Sequence, residues 1–265
     1  MDRSIVDLSR YPIDAPDTQA FRDFVGDCQA QLDADGMFNL PGFMTEDAIA
    51  ATLEQARPII EAHAFVHQRD HNIFFDDNID LPANHPARRR FNTRNHTICA
   101  DQIEGSPIVQ LYDWQPFHAF LAKVMEKPAL FPMDDRIAGA NVMTYYHGDG
   151  LNWHFDRSEF TTTLLLQEPS GGGEFEYAKD LRQPGDPNLE GIRGLMNGTI
   201  KPRICTQTAG TLNVFRGVNT AHRVTPVIGE IPRITSVLTY YEVPGRKFSK
   251  DERLGFYGRD REWTA

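Results

Sequence analysis

Apolar residues recur at helical spacing near the start of the chain. Phe21, Cys28 and Leu32 fall on one face of a helix. Asp35-Gly36 then stops the pattern, so we predict a helix over 17–35.

Two more helices and a short strand are predicted before the middle of the chain. Residues 37–40 form a brief apolar run that proline and glycine terminate, which indicates a strand. Thr45 supplies an N-terminal cap for a helix that continues to about His67. A third helical pattern spans 107–126.

The pattern changes at about residue 137. Short runs rich in β-branched and aromatic residues then follow each other, separated by glycine or proline. This order is typical of an all-β sandwich or barrel. The predicted strands are 138–146, 160–167, 173–177, 211–215, 222–227 and 233–243.

Two long polar segments, 68–105 and 178–203, show no regular period and are predicted to be irregular. Long loops of this kind inside a compact domain are usually functional, so we expect both to form lids over the mouth of the β core.

We expect a single domain over 1–265, mainly β in its core. A mainly helical part with one short strand, 1–136, buttresses a catalytic β core over 137–245, and 246–265 form a C-terminal extension. No internal repeat or linker divides the chain.

Charge and composition argue against two classes of partner, nucleic acids and membranes. The chain has 27 Lys and Arg against 37 Asp and Glu, a net charge of −10, which argues against a nucleic-acid partner because phosphate binding needs a basic face. No apolar run approaches the length of a membrane span, so we expect no membrane partner. The oligomeric state is left open.

The cysteines and the first residues predict a cytoplasmic location. Cys28, Cys99 and Cys205 are odd in number and widely spaced, which fits a reducing compartment and excludes both a disulfide framework and a zinc cage. The chain start lacks the basic-then-apolar order of a signal peptide.

The chemistry is concentrated at His154-x-Asp156 and His222. In a strand, residues i and i+2 share a face, so His154 and Asp156 can reach one metal ion, and His222 opens a later predicted strand. Two imidazoles and one carboxylate form the facial triad of non-haem Fe(II) oxygenases. His-x-Asp alone is a weak signal, and a surface pair is its ordinary interpretation.

Arg233 and Thr235 lie on one face of the last predicted strand. A buried arginine needs an anionic partner, which a dicarboxylate cosubstrate would provide. A salt bridge to one of the 37 acidic residues is an equally good interpretation of Arg233 by itself.

Taken in order, His154-x-Asp156, His222 and Arg233-x-Thr235 resemble the 2-oxoglutarate/Fe(II)-dependent oxygenase superfamily, whose fold is a double-stranded β-helix, or jelly roll. Residues 35–43 resemble the first strand of phytanoyl-CoA dioxygenase-like members. Tyr145-x-x-Gly148 is similar to the pattern ahead of the metal pair in prolyl 4-hydroxylase-like members. The overall pattern is similar to the bacterial free amino-acid hydroxylases and halogenases.

The resemblance implies specific roles. His154, Asp156 and His222 would bind Fe(II). Arg233, with Thr235 beside it, would bind the far carboxylate of 2-oxoglutarate. Further candidates for that cosubstrate pocket are Tyr145 (or Tyr146 if the register slips), Asn141, Thr161, Thr163 and Leu165.

The resemblance also implies the reaction. 2-Oxoglutarate and O2 as cosubstrates would give succinate and CO2 while a substrate C–H bond is oxidised. Related halogenases replace the triad carboxylate by Gly or Ala, whereas this chain has Asp156, so hydroxylation or desaturation is favoured over halogenation. Weak candidates for substrate binding are Trp153, Arg157 and Arg216.

We expect a hydroxylase of a small polar metabolite such as a free amino acid. Two alternatives stay open: an oxygen-independent, cupin-like metalloenzyme acting as an isomerase or hydrolase, and a hydroxylase of a protein residue. His63, His67 and His71, which share helical spacing, are interpreted as a polar helix face.

Overall fold

The computed structural model of the protein describes residues 2–264. It contains six α-helices, whose bounds are α1 (Gln19–Asp35), α2 (Glu46–His63), α3 (Pro107–Asp113), α4 (Gln115–Val124), α5 (Leu189–Met196) and α6 (Lys250–Tyr257). Short 3-10 helices cover Arg3–Ile5, Pro86–Arg88 and Ala100–Gln102. None of these helices is long and apolar enough to cross a membrane.

Thirteen strands complete the described structure. Their bounds are β1 (Met37–Leu40), β2 (Phe65–His71), β3 (Phe91–Cys99), β4 (Phe131–Pro132), β5 (Ala140–Tyr145), β6 (Leu151–His154), β7 (Thr161–Gln167), β8 (Phe175–Ala178), β9 (Arg203–Cys205), β10 (Leu212–Phe215), β11 (Ala221–Val224), β12 (Arg233–Leu238) and β13 (Tyr240–Tyr241).

The strands form two main antiparallel sheets. A seven-stranded sheet has the order β1-β10-β7-β12-β5-β3-β2, and a four-stranded sheet has the order β6-β11-β8-β9. Strands β5 to β8 alternate between the two sheets, and β10 to β12 alternate again. This alternation produces a jelly roll, as expected.

The two faces of the seven-stranded sheet have different surroundings. One face, here called the outer face, contributes side chains such as Leu164 and Ile234 to a large apolar cluster that also contains residues of α1 to α4. The inner face carries Arg233, Thr235 and their paired neighbours, which alternate with the outer residues along each strand.

Local sequence explains where the first helices begin and end. Thr18 caps α1 through its side chain, and Gly36, at φ 73°, ends it in the left-handed conformation that glycine adopts without strain. Thr45 caps α2 in the same way. The helix predicted over 107–126 is instead two helices separated at Trp114, because Pro116 lacks an N–H and its ring would clash with a continuing helix.

Two segments that we predicted to be irregular contain regular elements that we did not predict. Segment 68–105 contains most of β2 and all of β3, and segment 178–203 contains α5. The prediction was wrong for β3 because Thr93, Asn95 and Thr97 are buried although polar, so the usual apolar alternation of a strand is missing.

Candidate metal centre

His154, Asp156 and His222 converge at one end of the four-stranded sheet. His154 is the last residue of β6 and lies directly opposite His222 on β11, while Asp156 lies just beyond the end of β6. The Nε2 atom of His154 is 3.3 Å from Oδ1 of Asp156, and the Nε2 atom of His222 is 3.4 Å from Oδ2. One ligand atom from each residue lies within 4.8 Å of the others.

Both imidazoles are oriented by backbone carbonyls. The Nδ1 atom of His154 is 2.8 Å from the carbonyl oxygen of Asn152, and that of His222 is 2.9 Å from the carbonyl oxygen of Thr220. A neutral imidazole that donates from Nδ1 presents a lone pair on Nε2, which is the arrangement of metal-binding histidines. Both Nε2 atoms therefore face the carboxylate as free ligands.

Asp156 is positioned by its own neighbours. The Thr161 hydroxyl donates to Oδ2 at 2.5 Å, and the backbone N–H of Asp156 donates to the carbonyl oxygen of Gly217 at 3.1 Å. A Cβ atom on Gly217 would lie 2.3 Å from Oδ2 of Asp156, so only glycine leaves space for the carboxylate here.

The electrostatics of the group suit a divalent cation. Burial, and after it the neighbouring His222, lowers the pKa of His154, which keeps its ring neutral. Burial by itself would raise the pKa of Asp156, but the two imidazoles, His222 first, outweigh it and hold that pKa well below its usual value. Two imidazole nitrogens and one carboxylate are a donor set for Fe(II) or a similar ion. Within residues 2–264, this is the one cluster of three His, Cys, Asp or Glu side chains with ligand atoms so close.

Arg233 is a buried cation without a carboxylate partner among the described residues. It is 5 % exposed and begins β12. Its Nη2 donates to Oε1 of Gln207 at 3.1 Å, and its Nε is buried without a hydrogen-bond partner. Burial lowers the pKa of Arg233, which is the sign of a desolvated charge. An anion bound here would compensate that charge.

Tyr145 lies beside Arg233 and Tyr146 does not. Tyr145 is the cross-strand partner of Arg233 and is 1 % exposed, and its hydroxyl donates a hydrogen bond to the Met143 sulfur at 3.7 Å. Burial raises the pKa of Tyr145 to about 12, so the hydroxyl keeps its proton and can donate. Tyr146 is 36 % exposed and packs against His96, so the register does not slip.

Thr235 and the other candidates for the cosubstrate pocket occupy the inner face. The Thr235 hydroxyl donates to the carbonyl oxygen of Leu164 at 3.2 Å. The strand register aligns the remaining candidates with these residues: Asn141, Thr163 and Leu165. Asn141 is held by Tyr257, whose hydroxyl donates to its side-chain oxygen at 3.0 Å.

The weak substrate-binding candidates lie in different places. Trp153 points away from the triad, because it alternates with His154 on β6, and its ring lies in an apolar cluster beneath the Arg223 guanidinium. Arg216 forms an ion pair with Asp33 at 2.9 Å on α1, so the structure places its charge on the helical side. These two side chains are not brought to the triad.

Arg157, the third candidate, lines a cavity whose walls include none of the triad residues. The cavity has a volume of about 440 Å³ and is bounded by β2, Arg157 and α6. Arg157 directly follows Asp156 and lies 3.6 Å from Glu252. A larger groove of about 900 Å³ runs along α2 and contains none of the predicted site residues.

Sequence reasoning missed residues that surround the triad. Phe75, at φ 54°, places its ring 5.7 Å from that of His154 and stacks on His71 at 4.0 Å. Arg182 stacks on Phe155 at 4.0 Å and donates from Nε to the carbonyl oxygen of Val218. No motif marks these positions, because the surrounding segments lack a regular period.

His71 corrects the interpretation of three histidines as one polar helix face. His63 ends α2, whereas His67 and His71 lie on β2. His71 is 2 % exposed and its Nε2 is 2.7 Å from the Thr93 hydroxyl. The helical spacing was misleading because Ala64 takes an extended conformation and ends the helix.

The chain matches a model of the family HalD, described as Halogenase D, over residues 22–249. That match agrees with the similarity to bacterial amino-acid hydroxylases and halogenases. No curated protein sequence matches the chain.

Solved structures of low sequence identity share the fold. AviO1 from Streptomyces viridochromogenes Tue57 is 15% identical, with 81% of this chain and 93% of that chain covered and a TM-score of 0.56. The non-heme alpha ketoglutarate dependent epimerase SnoN is 13% identical, with 83% of each chain covered and a TM-score of 0.55. An oxidoreductase of the 2OG-Fe(II) oxygenase family from Burkholderia pseudomallei is 17% identical, with 83% and 92% covered and a TM-score of 0.50. These similarities confirm the oxygenase superfamily fold.

Proposed function

The chain belongs to the Halogenase D family and has the fold of Fe(II)/2-oxoglutarate oxygenases, and on that premise we propose that it hydroxylates a small polar metabolite such as a free amino acid. The observation that carries the proposal is a convergent His154–Asp156–His222 donor set in the same jelly roll as the uncompensated buried charge of Arg233. A redox metal and an anionic cosubstrate are the two components that this pair of sites accommodates.

The residues of the chain hold these components. Fe(II) bound by the triad would supply the capacity to activate O2 and oxidise a C–H bond, with 2-oxoglutarate as the reductant that becomes succinate and CO2. Arg233 matches the charge of the far carboxylate, and Tyr145 can donate to it. Thr161 fixes the Asp156 carboxylate through its hydroxyl, and Gly217 fixes the backbone of Asp156 through its carbonyl oxygen.

Asp156 supports hydroxylation although the family is described as a halogenase family. In related halogenases Gly or Ala replaces the carboxylate and frees a metal position for chloride. Here the carboxylate is present, faces both imidazoles and accepts a hydrogen bond from Thr161. The position that chloride would need is therefore taken by a protein oxygen.

The cavity that Arg157 lines supports a small polar substrate, because Arg157 directly follows the ligand Asp156 in the chain. Its lining includes the cationic side chains Arg69 and Arg157 and the anionic side chains Asp251 and Glu252. Charges of both signs at one site complement the amino and carboxylate groups of a free amino acid. Its volume of about 440 Å³ lies within the usual range for small-molecule sites.

We place the reaction in the cytoplasm. The structure leaves Cys28, Cys99 and Cys205 unpaired, which is the ordinary state of cysteines in a reducing compartment.

The test is an anaerobic titration followed by product analysis. Fe(II) and then 2-oxoglutarate are added, and the weak visible charge-transfer band of the chelate is followed. O2, chloride and a panel of amino acids are then supplied, and succinate and products are measured by mass spectrometry. We expect the band, substrate-dependent succinate and a product heavier by one oxygen.

Other outcomes separate the alternatives. A bound metal without a band when 2-oxoglutarate is added would favour the oxygen-independent metalloenzyme. A chlorinated product would contradict the role given to Asp156. Succinate release stimulated by a peptide and by no free amino acid would favour a hydroxylase of a protein residue.

A further inference from the structure

Gln207 lies in the connection between the two sheets, after β9 and before β10. Its Oε1 accepts a hydrogen bond from Nη2 of Arg233 at 3.1 Å, and its Nε2 is buried without a hydrogen-bond partner. A buried amide donor left unpaired costs free energy unless a bound group completes it. Two unpaired donors, Nε2 of Gln207 and Nε of Arg233, therefore belong to one hydrogen-bonded pair of side chains.

The other candidate hydrogen-bond donors near Arg233 differ in the strength of the hydrogen bonds that they already make. The Thr235 hydroxyl already donates to the backbone carbonyl of Leu164 at 3.2 Å. The Tyr145 hydroxyl donates to a thioether sulfur, a weak acceptor that a carboxylate readily replaces. A carboxylate accepts several hydrogen bonds, so Arg233 and Tyr145 leave room for a further donor.

Gln207 is also the right chemical type for a site that must receive an anion. Its amide oxygen fixes the guanidinium without cancelling its charge. A glutamate at this position would form a closed ion pair with Arg233, and the positive charge would no longer be available to a ligand. A neutral partner keeps the arginine oriented and still cationic.

We propose that Gln207 is a cosubstrate-selecting residue: it orients Arg233 through Oε1 and donates from Nε2 to the far carboxylate of 2-oxoglutarate. The proposal rests on the proposed function, because it assumes that 2-oxoglutarate binds at Arg233. It goes further in assigning selectivity for a dicarboxylic 2-oxo acid to a residue outside the Arg233-x-Thr235 motif.

The test compares two 2-oxo acids of the same chain length. 2-Oxoglutarate has the far carboxylate and 2-oxopentanoate lacks it. Each is titrated into anaerobic Fe(II)-loaded protein, and the visible band of the chelate gives the apparent Kd. The variants are Gln207→Met, which keeps the shape without the amide, and Gln207→Glu, which adds a charge. Thr206→Val, an exposed neighbour in the same segment, is the matched control.

We expect Gln207→Met to weaken 2-oxoglutarate binding by about 10-fold to 100-fold, the range for a hydrogen bond to a charged group, and to leave 2-oxopentanoate unchanged. Gln207→Glu should weaken 2-oxoglutarate further, because its carboxylate pairs with Arg233 and repels the ligand. Thr206→Val should behave like wild type. In metal-free protein, glutarate should raise the Tm of wild type and raise that of Gln207→Met much less.

The possible failures are distinguishable. No band with 2-oxoglutarate in the wild type defeats the proposed function. A wild-type band that Gln207→Met and Gln207→Glu both leave unchanged overturns the role of Gln207 alone. Equal weakening of both 2-oxo acids means that Gln207 is only structural, which also overturns the proposal. If Gln207→Met does not fold, Gln207→Asn replaces it, because its amide is too short to reach the carboxylate. This variant must then weaken the binding of 2-oxoglutarate and leave that of 2-oxopentanoate unchanged.

Discussion

The two faces of the seven-stranded sheet are built from alternating residues of the same strands, yet they differ in kind. On β7 and β12 the outer face carries Leu164 and Ile234, packed with α1 to α4 in one apolar cluster. The inner face of the same strands carries Thr163, Arg233 and Thr235, with hydroxyl and guanidinium groups toward the interior.

This difference indicates that the outer face stabilises the fold and that the inner face binds ligands. Apolar side chains on the outer face gain free energy by leaving water, so the fold depends on them. Buried polar atoms without a hydrogen-bond partner occur on both faces, since Thr144 on the outer face has one and Asn213 and Arg233 on the inner face have others. Only on the inner side do two of them belong to one hydrogen-bonded pair, Arg233 and Gln207 of the β9–β10 connection. Unpaired buried groups cost free energy unless a ligand completes them, so this pair indicates a ligand site. Changes on the two faces should therefore have different consequences.

The largest expected effect comes from the triad. His222→Ala removes one of two imidazole ligands, so we expect Fe(II) binding to fall by more than about 100-fold and substrate-dependent succinate to become undetectable. The free energy of unfolding of the metal-free protein should change little, because the His222 ring does not belong to the large apolar cluster on the outer face. Equilibrium dialysis with Fe(II), succinate assays and urea unfolding measure the three quantities.

The control for this change is His118→Ala on α4, outside the triad. It should leave metal binding intact. If His222→Ala instead unfolds the metal-free protein, the triad also supports the fold, and the separation of the two faces fails at that point.

The next effect concerns two adjacent leucines of β7. Leu164 is 0 % exposed and belongs to the helix–sheet cluster, whereas Leu165 is 1 % exposed and pairs with Thr235 on the inner face. Leu164→Ala should lower the free energy of unfolding by about 2–5 kcal/mol, the cost of a cavity in a packed core, and leave 2-oxoglutarate binding unchanged.

Leu165→Ala is the matched variant, with the same residue type and nearly the same burial. We expect it to weaken the 2-oxoglutarate chelate and to cost less stability, because it faces an interior that is already polar. Urea unfolding and the anaerobic titration, run on both variants, decide this. Equal effects in both assays would contradict the distinction.

The same comparison explains how much the sequence predicts. Helix α1 and the start of α2 were predicted well because their apolar residues face the outer cluster at helical spacing, whereas α2 ends at His63 and not at about His67. Strand β3 was missed because Asn95 and Thr97 are polar and buried, and an interior that binds ligands reverses the usual pattern.

Some residues of the candidate site could be predicted from the sequence and others could not. His154, Asp156, His222 and Arg233 were predicted as site residues because their residue types are chemically informative and their order resembles a known family, and the structure brings the first three together. Gln207 and Gly217 were not predicted, because each contacts the site from a segment that is far away in sequence. A sequence motif identifies the side chains that bind the metal or the cosubstrate. It does not identify the residues that position those side chains.

A moderate effect of pH is expected on both faces. Burial lowers the pKa of His71 and of His118, so each ring is neutral when folded and takes a proton more readily when unfolded. Their stability contribution is fully present above the unfolded value of 6.5 and is lost as pH falls below it, by up to about 1.4 kcal/mol per histidine for each pH unit.

Urea unfolding of metal-free protein between pH 7.5 and pH 5.5, a range chosen around the unfolded histidine pKa of about 6.5, measures this loss. His71→Gln and His118→Gln should each flatten the dependence. A free energy of unfolding that rises on acidification would contradict the assignment of neutral, buried rings.

The smallest effect is expected at Arg216, which sequence analysis considered for substrate binding. Its partner Asp33 is 75% exposed, and ion pairs of this kind contribute between zero and about 1 kcal/mol. Arg216→Gln should therefore lower the free energy of unfolding by less than about 1 kcal/mol, and Asp33→Asn should do the same, because the two remove one screened interaction. Neither should alter the 2-oxoglutarate titration or succinate release, whereas Arg157→Gln, at the cavity bounded by β2 and α6, should raise the KM of an anionic substrate. If Arg216→Gln reduced succinate release and Asp33→Asn did not, Arg216 would act on the substrate, and the helical side of the molecule would share in the chemistry after all.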